Sequence, residues 1–382
     1  MKISQLKYED LDSGWALDNV SFKNTTLLVG ASGVGKTQIL EALMRLKDIS
    51  NGKSFSGVKW ELNFEILNKK TVSWTGEFEK KGFGYFLDED EKDYEQIGII
   101  HESLSINGKS VITRKFGKIE FNDYKIPKLA SHISAINILK QEDIIDPIFR
   151  ALQNIIFTDH SDSNRRENIV NTELLEAEKL LKKYNTIEKI RESELKLNTK
   201  LFLCFHNAKK VATQIKNRFL EVFPFVIDIR YEPLQNELKA PAFVRALPFI
   251  QLKEANVDNW IPQFKLSSGM IRTLKHISAI YLCSEGTVLL IDEFENSLGV
   301  NCIDELTSEI FSGEKRNLQF IITSHHPYIL NRIEPSNWKL VTRYGSNVKA
   351  RDAANYVDFS KSKQTAFIQL TQLDEFNTGI GE

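Results

Sequence analysis

Gly30-Ala31-Ser32-Gly33-Val34-Gly35-Lys36-Thr37 is the stretch on which the fold turns. Three glycines at these intervals let a loop adopt left-handed backbone, so that successive N–H groups close around an anion. An apolar run, Leu27 to Val29, precedes the loop, and a helical pattern follows with Ile39, Leu40, Leu43, Met44 and Leu46 on one face. Strand, glycine-rich loop and helix in that order place the positive end of a helix at the loop. This is the context a phosphate-binding Walker A loop requires.

The residue types assign themselves to a nucleoside triphosphate. Gly30, Ala31, Ser32, Gly33, Val34 and Gly35, with Gln38 beyond them, form the cradle. Lys36 reaches the β- and γ-phosphates, and the Thr37 hydroxyl suits Mg²⁺, a hard cation that takes oxygen ligands. Far along the chain, Leu266-Ser267-Ser268-Gly269-Met270 leads into an apolar-periodic helix through Ile271, Leu274, Ile277, Ile280 and Tyr281, with Ser267 or Ser268 at its N-cap. Thr287-Val288-Leu289-Leu290-Ile291 is a buried-strand run that ends in Asp292 and Glu293, the Walker B pattern. Asp292 suits a metal ligand and Glu293 a general base that polarises water. A further buried strand, Phe320 to Thr323, delivers His325 and His326 before Pro327.

Composition fits two lobes around substantial cores: 42% of the residues are apolar and 26% charged over 382 residues. A net charge of −1 gives no global field toward nucleic acid, so any such contact requires a local basic face. There is no long apolar run of membrane-spanning length, and Met1 to Lys7 alternates as a strand does, so the expectation is a cytoplasmic protein with no membrane partner. Cys204, Cys283 and Cys302 lie far apart without metal-ligand spacing and read as buried free thiols.

In chain order, residues 1–158 form the first half of the expected nucleotide-binding unit. Short strands at Val20 to Phe22 and Thr26 to Val29 lead to the loop and a helix reaching about Lys47. A β-rich, hairpin-like lobe follows: Lys59 to Ile66, Thr71 to Phe78, Gly98 to Ile106 and Val111 to Arg114, with Asn107-Gly108 as a tight turn. Ala135 to Leu139 reads as a strand, followed by Gln141 and a helix from Glu142 to about Leu152. Residues 159–225 open on the polar break Asp159 to Asn164 and read as an inserted helical pair. Their cations, among them Lys179, Lys182, Lys183, Lys189, Arg191, Lys196, Lys200, Lys209, Lys210, Lys216 and Arg218, read either as a solvated helix surface or as an arm that tracks DNA phosphates. Residues 226–382 carry the second half, including a loop through Pro241 and Pro262, the strand Trp338 to Thr342 and a helix from Lys363 to Leu370.

With these pieces in order, the chain resembles an ABC-type ATPase of the soluble branch that includes SMC, RecF and OLD-like proteins. Leu266 to Met270 is similar to the LSGGQ signature, and Thr323 to Pro327 to the switch-histidine loop. Gln141 in Ile138-Leu139-Lys140-Gln141-Glu142 resembles the Q-loop of DNA-repair members. Asn296-Ser297-Leu298 falls at the D-loop. Two departures stand out: Ser268 and Met270 replace a glycine and the glutamine of the signature, and Gly299-Val300 follow the D-loop where relatives carry other residues.

The resemblance implies an α/β fold: a P-loop ABC-ATPase head with a mixed β-sheet core, an antiparallel β lobe and an inserted helical arm. It implies ATP and Mg²⁺ as cofactors, with Thr37, Asp292 and Gln141 near the metal, Glu293, His325 and Gln141 as catalytic groups, and Ser267, Ser268 and Gly269 contacting ATP on a partner copy. The expected assembly is a homodimer or higher even oligomer. Nothing after Pro327 has the clustered acids and histidines of a second metal site, so the effector is expected to be a separate nuclease or toxin. A DNA-processing or effector-controlling ATPase of antiphage defence or repair is the leading reading. An ATP-gated scaffold with little turnover and a transporter's nucleotide-binding subunit are the alternatives.

Overall fold

The computed structural model describes all residues except 81–96, 116–117, 128–129, 159–170, 235–246, 297, 315, 359–361 and 382. The strands in chain order are β1 (Lys2–Asp10), β2 (Trp15–Ser21), β3 (Thr25–Val29), β4 (Val58–Glu65), β5 (Thr71–Phe78), β6 (Ile99–Ile106), β7 (Lys109–Lys115), β8 (Lys118–Phe121), β9 (Tyr124–Ile126), β10 (Ile155–Phe157), β11 (Val226–Pro233), β12 (Pro248–Glu254), β13 (Ile261–Pro262), β14 (Val288–Ile291), β15 (Gln319–Thr323), β16 (Trp338–Tyr344) and β17 (Asn347–Asp352). The helices are α1 (Lys36–Ser50), α2 (Ala135–Ile138), α3 (Asp146–Gln153), α4 (Ala177–Lys183), α5 (Ile187–Glu192), α6 (Leu197–Asn207), α7 (Lys209–Val222), α8 (Ser268–Leu282), α9 (Val300–Glu314), α10 (Pro327–Arg332), α11 (Lys363–Thr371) and α12 (Asp374–Thr378). Two compact units result: Met1–Phe157 with Glu285–Phe294 and Arg316–Glu382, and Thr158–Ser284 with Glu295–Lys315.

The first unit is built on a 14-stranded mixed sheet in the order β10-β14-β15-β3-β16-β17-β2-β1-β4-β5-β6-β7-β8-β9. Strands β10, β14, β15, β3 and β16 run parallel. Their residues explain why: β3, β14 and β15 are buried at every position, as strands covered on both faces must be. From β4 onward the pairing is antiparallel, and burial alternates along β4 and β5. Trp60 packs edge-on to Trp74, 5.1 Å between ring centroids, and against Phe78. These rings share one core with Leu40, Leu43 and Leu46 of α1. Asn107 (φ 49°) and Gly108 (φ 77°) make the expected tight turn between β6 and β7, and both lie in the left-handed region that a primed hairpin turn demands.

One segment departs from expectation. Ala135 to Leu139 is the short helix α2 and its following turn instead of a strand. Ser134 caps it by accepting from Ile136 N, while the buried Glu102 carboxylate accepts from Ser134 Oγ, Trp74 Nε1 and Ala135 N. A short apolar run reads equally as strand or helix, and here a side chain from β6 decides it. Burial pushes the Glu102 carboxyl up, while those three donors and Arg114 pull against it.

In the second unit, the expected helical pair is α6 and α7, preceded by the short α4 and α5; the polar break Asp159 to Asn164, the helix start at Arg165 and the Pro241 loop lie outside the described residues. The three-stranded sheet β11-β12-β13 belongs here, and α8 lies against α6, α7 and α9. Arg191 Nε donates to the Tyr281 carbonyl at 2.9 Å, placing a cation at the negative end of α8. Cys204, Cys283 and Cys302 are buried free thiols. His276 of α8 is buried, and that burial, reinforced by Arg272 and Lys275, pushes its pKa down to about 3. Between about pH 6.5 and the folded value the unfolded chain binds a proton that the folded chain does not, so stability falls with acidification. Urea unfolding between pH 6.5 and 4.5 is expected to lose about 1.4 kcal/mol per pH unit to this residue, and His276→Gln should remove that slope. An identical slope in the variant would assign the acid sensitivity elsewhere.

Candidate active site

The register of the parallel strands assembles the site. Ile291 pairs with Ile322 and Thr323 with Leu28, so Asp292, Thr323 and the start of the glycine loop emerge at one level on the carboxyl edge of the sheet. A cluster of hydrogen bonds ties them together. Thr37 Oγ1 donates to Asp292 Oδ2 at 2.8 Å, and Thr323 Oγ1 donates to Asp292 Oδ1. Glu293 N donates to Thr323 Oγ1 at 2.8 Å, and Phe294 N to the Thr323 carbonyl at 3.1 Å. One threonine therefore orients the first carboxylate with its hydroxyl and fixes the backbone of the second. Glu293 has φ of 42°, a backbone conformation that costs free energy in a residue with a side chain and that concentrates at functional sites. Its side chain is exposed.

The glycine loop has a walled face and an open one. At Gly30 (φ 142°) a Cβ would lie 2.5 Å from the Val341 carbonyl oxygen, and at Gly35 (φ 102°) it would lie 2.9 Å from Val348 and 3.6 Å from the Trp15 indole nitrogen. At Gly33 (φ 81°) it would meet nothing within 4 Å. Gly35 is the N-cap of α1 and has no side chain to cap it, and the first turn carries no acidic residue, so the positive end of the helix borders the loop. Lys36 Nζ donates to the carbonyls of Gly30 at 2.9 Å and Ala31 at 2.8 Å, folding the ammonium along the loop. Ser32, Thr37 and Gln38 are exposed, Ala31 is half-buried and Val34 is buried. The donor set fits a triphosphate, and Thr37 and Asp292 together offer the oxygen ligands Mg²⁺ requires.

The two histidines separate cleanly. His326 is the N-cap of α10: its Nδ1 accepts from Tyr328 N at 3.2 Å, and its own N–H donates to Ser324 Oγ. His325 is exposed on the loop leaving β15. Gln141 lies exposed in the turn between α2 and α3, and among the described residues its side chain makes no hydrogen bond to Thr37 or Asp292. In the second unit Ser267 caps α8 by accepting from Met270 N at 3.2 Å, and Ser267 and Ser268 are exposed. Met270 is buried. Asn296 is exposed, while Ser297 lies outside the described residues.

Hydrogen bonds thus join Thr37 of the loop to Asp292 and, through Thr323, to the backbone of Glu293. Sequence reasoning gave no role to Thr323, although a hydroxyl that ends a fully buried strand, two residues before His325, is the available signal. It also missed the packing of Trp15 and Val348 against Gly35, which only tertiary structure reveals. Among the described residues no group of histidines, cysteines and carboxylates forms a metal site of its own, and no helix is long and apolar enough to cross a membrane.

A family profile described as "AAA domain, putative AbiEii toxin, Type IV TA system" matches residues 25–331. Among solved structures, an SMC head bound to the C-terminal winged-helix domain of ScpA superposes with a TM-score of 0.53 at 14% identity, covering 92% of this chain and 97% of that one. The SMC head domain of Thermotoga maritima gives 0.44 at 13% identity, covering 92% and 99%. An SMC head with extended coiled coil from Pyrococcus furiosus, bound to the C-terminal domain of ScpA, gives 0.44 at 14% identity, covering 91% and 95%. A search of curated proteins gives no match.

Proposed function

Because this chain belongs to the family of AAA domains described as putative AbiEii toxin, type IV toxin–antitoxin system, we propose that it is an ATPase whose ATP-dependent pairing with a second copy controls a partner. The observation that carries the proposal is the hydrogen bond between Thr37 and Asp292, which joins the glycine loop to the carboxylate strand, with Thr323 linking the same aspartate to the backbone of Glu293. The SMC-head likeness supports the fold on which such a site is built.

In this reading the amides of the glycine loop and α1 hold the β-phosphate, and the Lys36 ammonium lies against the transferring γ-phosphoryl group. Thr37 and Asp292 would hold magnesium, which when bound neutralises charge on the phosphate oxygens. Glu293 accepts a proton from the attacking water as that oxygen bonds to the γ-phosphorus and the bond to the β-phosphate oxygen breaks, releasing ADP and phosphate. His325 would sense the γ-phosphate, and Gln141 would help to hold the metal. Ser267, Ser268 and Gly269 of a second copy complete the clamp. The exposed serines at the N-terminus of α8 support that assignment, since an inward-facing corner could not serve a partner.

The controlled partner is a separate nuclease or toxin, or DNA itself, in cytoplasmic antiphage defence or DNA repair. A DNA contact would rest on Lys182, Lys183, Lys196, Lys209 and Lys210, which are exposed. Arg191 and Lys200 are engaged with backbone carbonyls, and Lys179, Lys216 and Arg218 sit in ion pairs.

Ser267→Arg tests the trans role. It is expected to leave the affinity of the monomer for nucleotide within about twofold while suppressing ATP-dependent dimer formation by about 100-fold, because a long cation fills the corner where the partner's phosphate docks. Light scattering with saturating ATP reads the outcome. Dimerisation that survives the substitution removes the signature from the mechanism.

A further inference from the structure

We propose that the turn Gly379-Ile380-Gly381 is a positioning element for the phosphate loop, so that nucleotide affinity depends on how this turn is docked. The inference rests on the reading of residues 30–37 as the nucleotide site and adds to it a determinant outside the nucleotide-binding motifs.

The contact is built by three consecutive residues of β16 that project past the level of β3. The register pairs Leu340 with Val29, so Val341, Thr342 and Arg343 run alongside the loop that leaves β3. Gly30 lies over the Val341 carbonyl with no room for a side chain. A Cβ on Gly381 would overlap Thr342, and Arg343 N donates to the Gly379 carbonyl at 2.7 Å, with a parallel bridge from Arg343 to Ile380. Gly379 ends α12 in the left-handed conformation (φ 73°), with its N–H donating to the Glu375 carbonyl at 3.0 Å. A Cβ there would stand 2.2 Å from Val34 Cγ1 and 3.2 Å from Ala31 Cβ. The turn is therefore pressed against two residues of the loop, and Val34, in a loop otherwise open at Gly33, is only 4% exposed.

Physical consequence follows from close packing. The amides that cradle a phosphate must keep their directions within narrow limits, and a loop of three glycines has little stiffness of its own. Val341 supports the base of the loop at Gly30, while Gly379 blocks outward movement of Ala31 and Val34. Displacing the turn releases one wall of the cradle without altering any group that touches phosphate.

The geometry supplies its own test through a double-mutant cycle read by the affinity for mant-ADP, a probe that requires neither hydrolysis nor dimer closure. Gly379→Ala drives a methyl into Val34 and is expected to weaken binding by about tenfold. Val34→Ala, a change within the cradle itself, supplies the reference affinity of the cycle. In the double variant the remaining contact at Val34 is with Cβ at 3.7 Å, an ordinary separation. Ala31 Cβ at 3.2 Å and the left-handed backbone still burden the alanine, so affinity should recover by at least about threefold over Gly379→Ala. Full-affinity binding by Gly379→Ala, or a double variant as weak as Gly379→Ala, overturns the proposal, since the second result attributes the loss to backbone strain alone. Failure of the wild-type protein to bind mant-ADP is a different outcome, which removes the nucleotide reading itself and this inference with it. Should Gly379→Ala not fold, hydrogen exchange of the wild type decides: amides of residues 378–381 are expected to slow on adding ADP, and unchanged exchange there overturns the proposal.

Discussion

Glu293→Gln is expected to lower ATP turnover by about 10²- to 10⁴-fold while leaving the affinity for ATP unchanged within about threefold. The substitution keeps size and shape and removes only the capacity to accept a proton. Two backbone hydrogen bonds place residue 293, its own N–H on Thr323 Oγ1 and the N–H of Phe294 on the Thr323 carbonyl, and a glutamine keeps both. Phosphate release measured beside fluorescent-nucleotide binding separates the two quantities. Equal loss of both would mean that Glu293 holds ligand instead of activating water. A wild-type protein that pairs in response to ATP yet releases no phosphate would favour the ATP-gated scaffold over the enzyme.

Lys36→Ala is expected to act on the other quantity, reducing nucleotide affinity by about 100-fold or more, which corresponds to losing a charge-assisted contact of nearly 3 kcal/mol. Its Nζ donates to the Gly30 and Ala31 carbonyls. Those carbonyls border an open loop that water reaches, so the unliganded fold should lose no more than about 1 kcal/mol. Calorimetric titration with ADP and a thermal melt without nucleotide report the two effects. A melt depressed as much as binding is weakened would recast Lys36 as a structural residue.

Much of this was legible in the residues because the physics was local. Glycines that must take positive φ mark the loop, and the apolar runs Leu27 to Val29, Val288 to Ile291 and Phe320 to Ile322 mark β3, β14 and β15. Alternation from Val58 to Phe78 and the Asn107-Gly108 turn gave the antiparallel lobe for the same reason. The misreading of Ala135 to Leu139 has a non-local cause, since the cap that makes α2 a helix is fixed by Glu102 from another strand. The role of Thr323 was hidden because its partners, Asp292 and Glu293, come from a neighbouring strand. The resemblance gives a catalytic role to His325 and none to His326, and the capping of α10 by His326 is a local contact that the order of residues does not spell out. The turn at Gly379 is separated from Val34 by nearly the whole sequence, and no periodicity signals that contact.

Sedimentation of the Glu293→Gln protein with and without ATP and magnesium measures the central claim most directly. The protein is expected to be a monomer without nucleotide and a dimer with ATP, reverting to monomer when ADP is supplied in its place. A protein that binds ATP and remains monomeric at saturation, or one whose dimer forms equally without nucleotide, would contradict it.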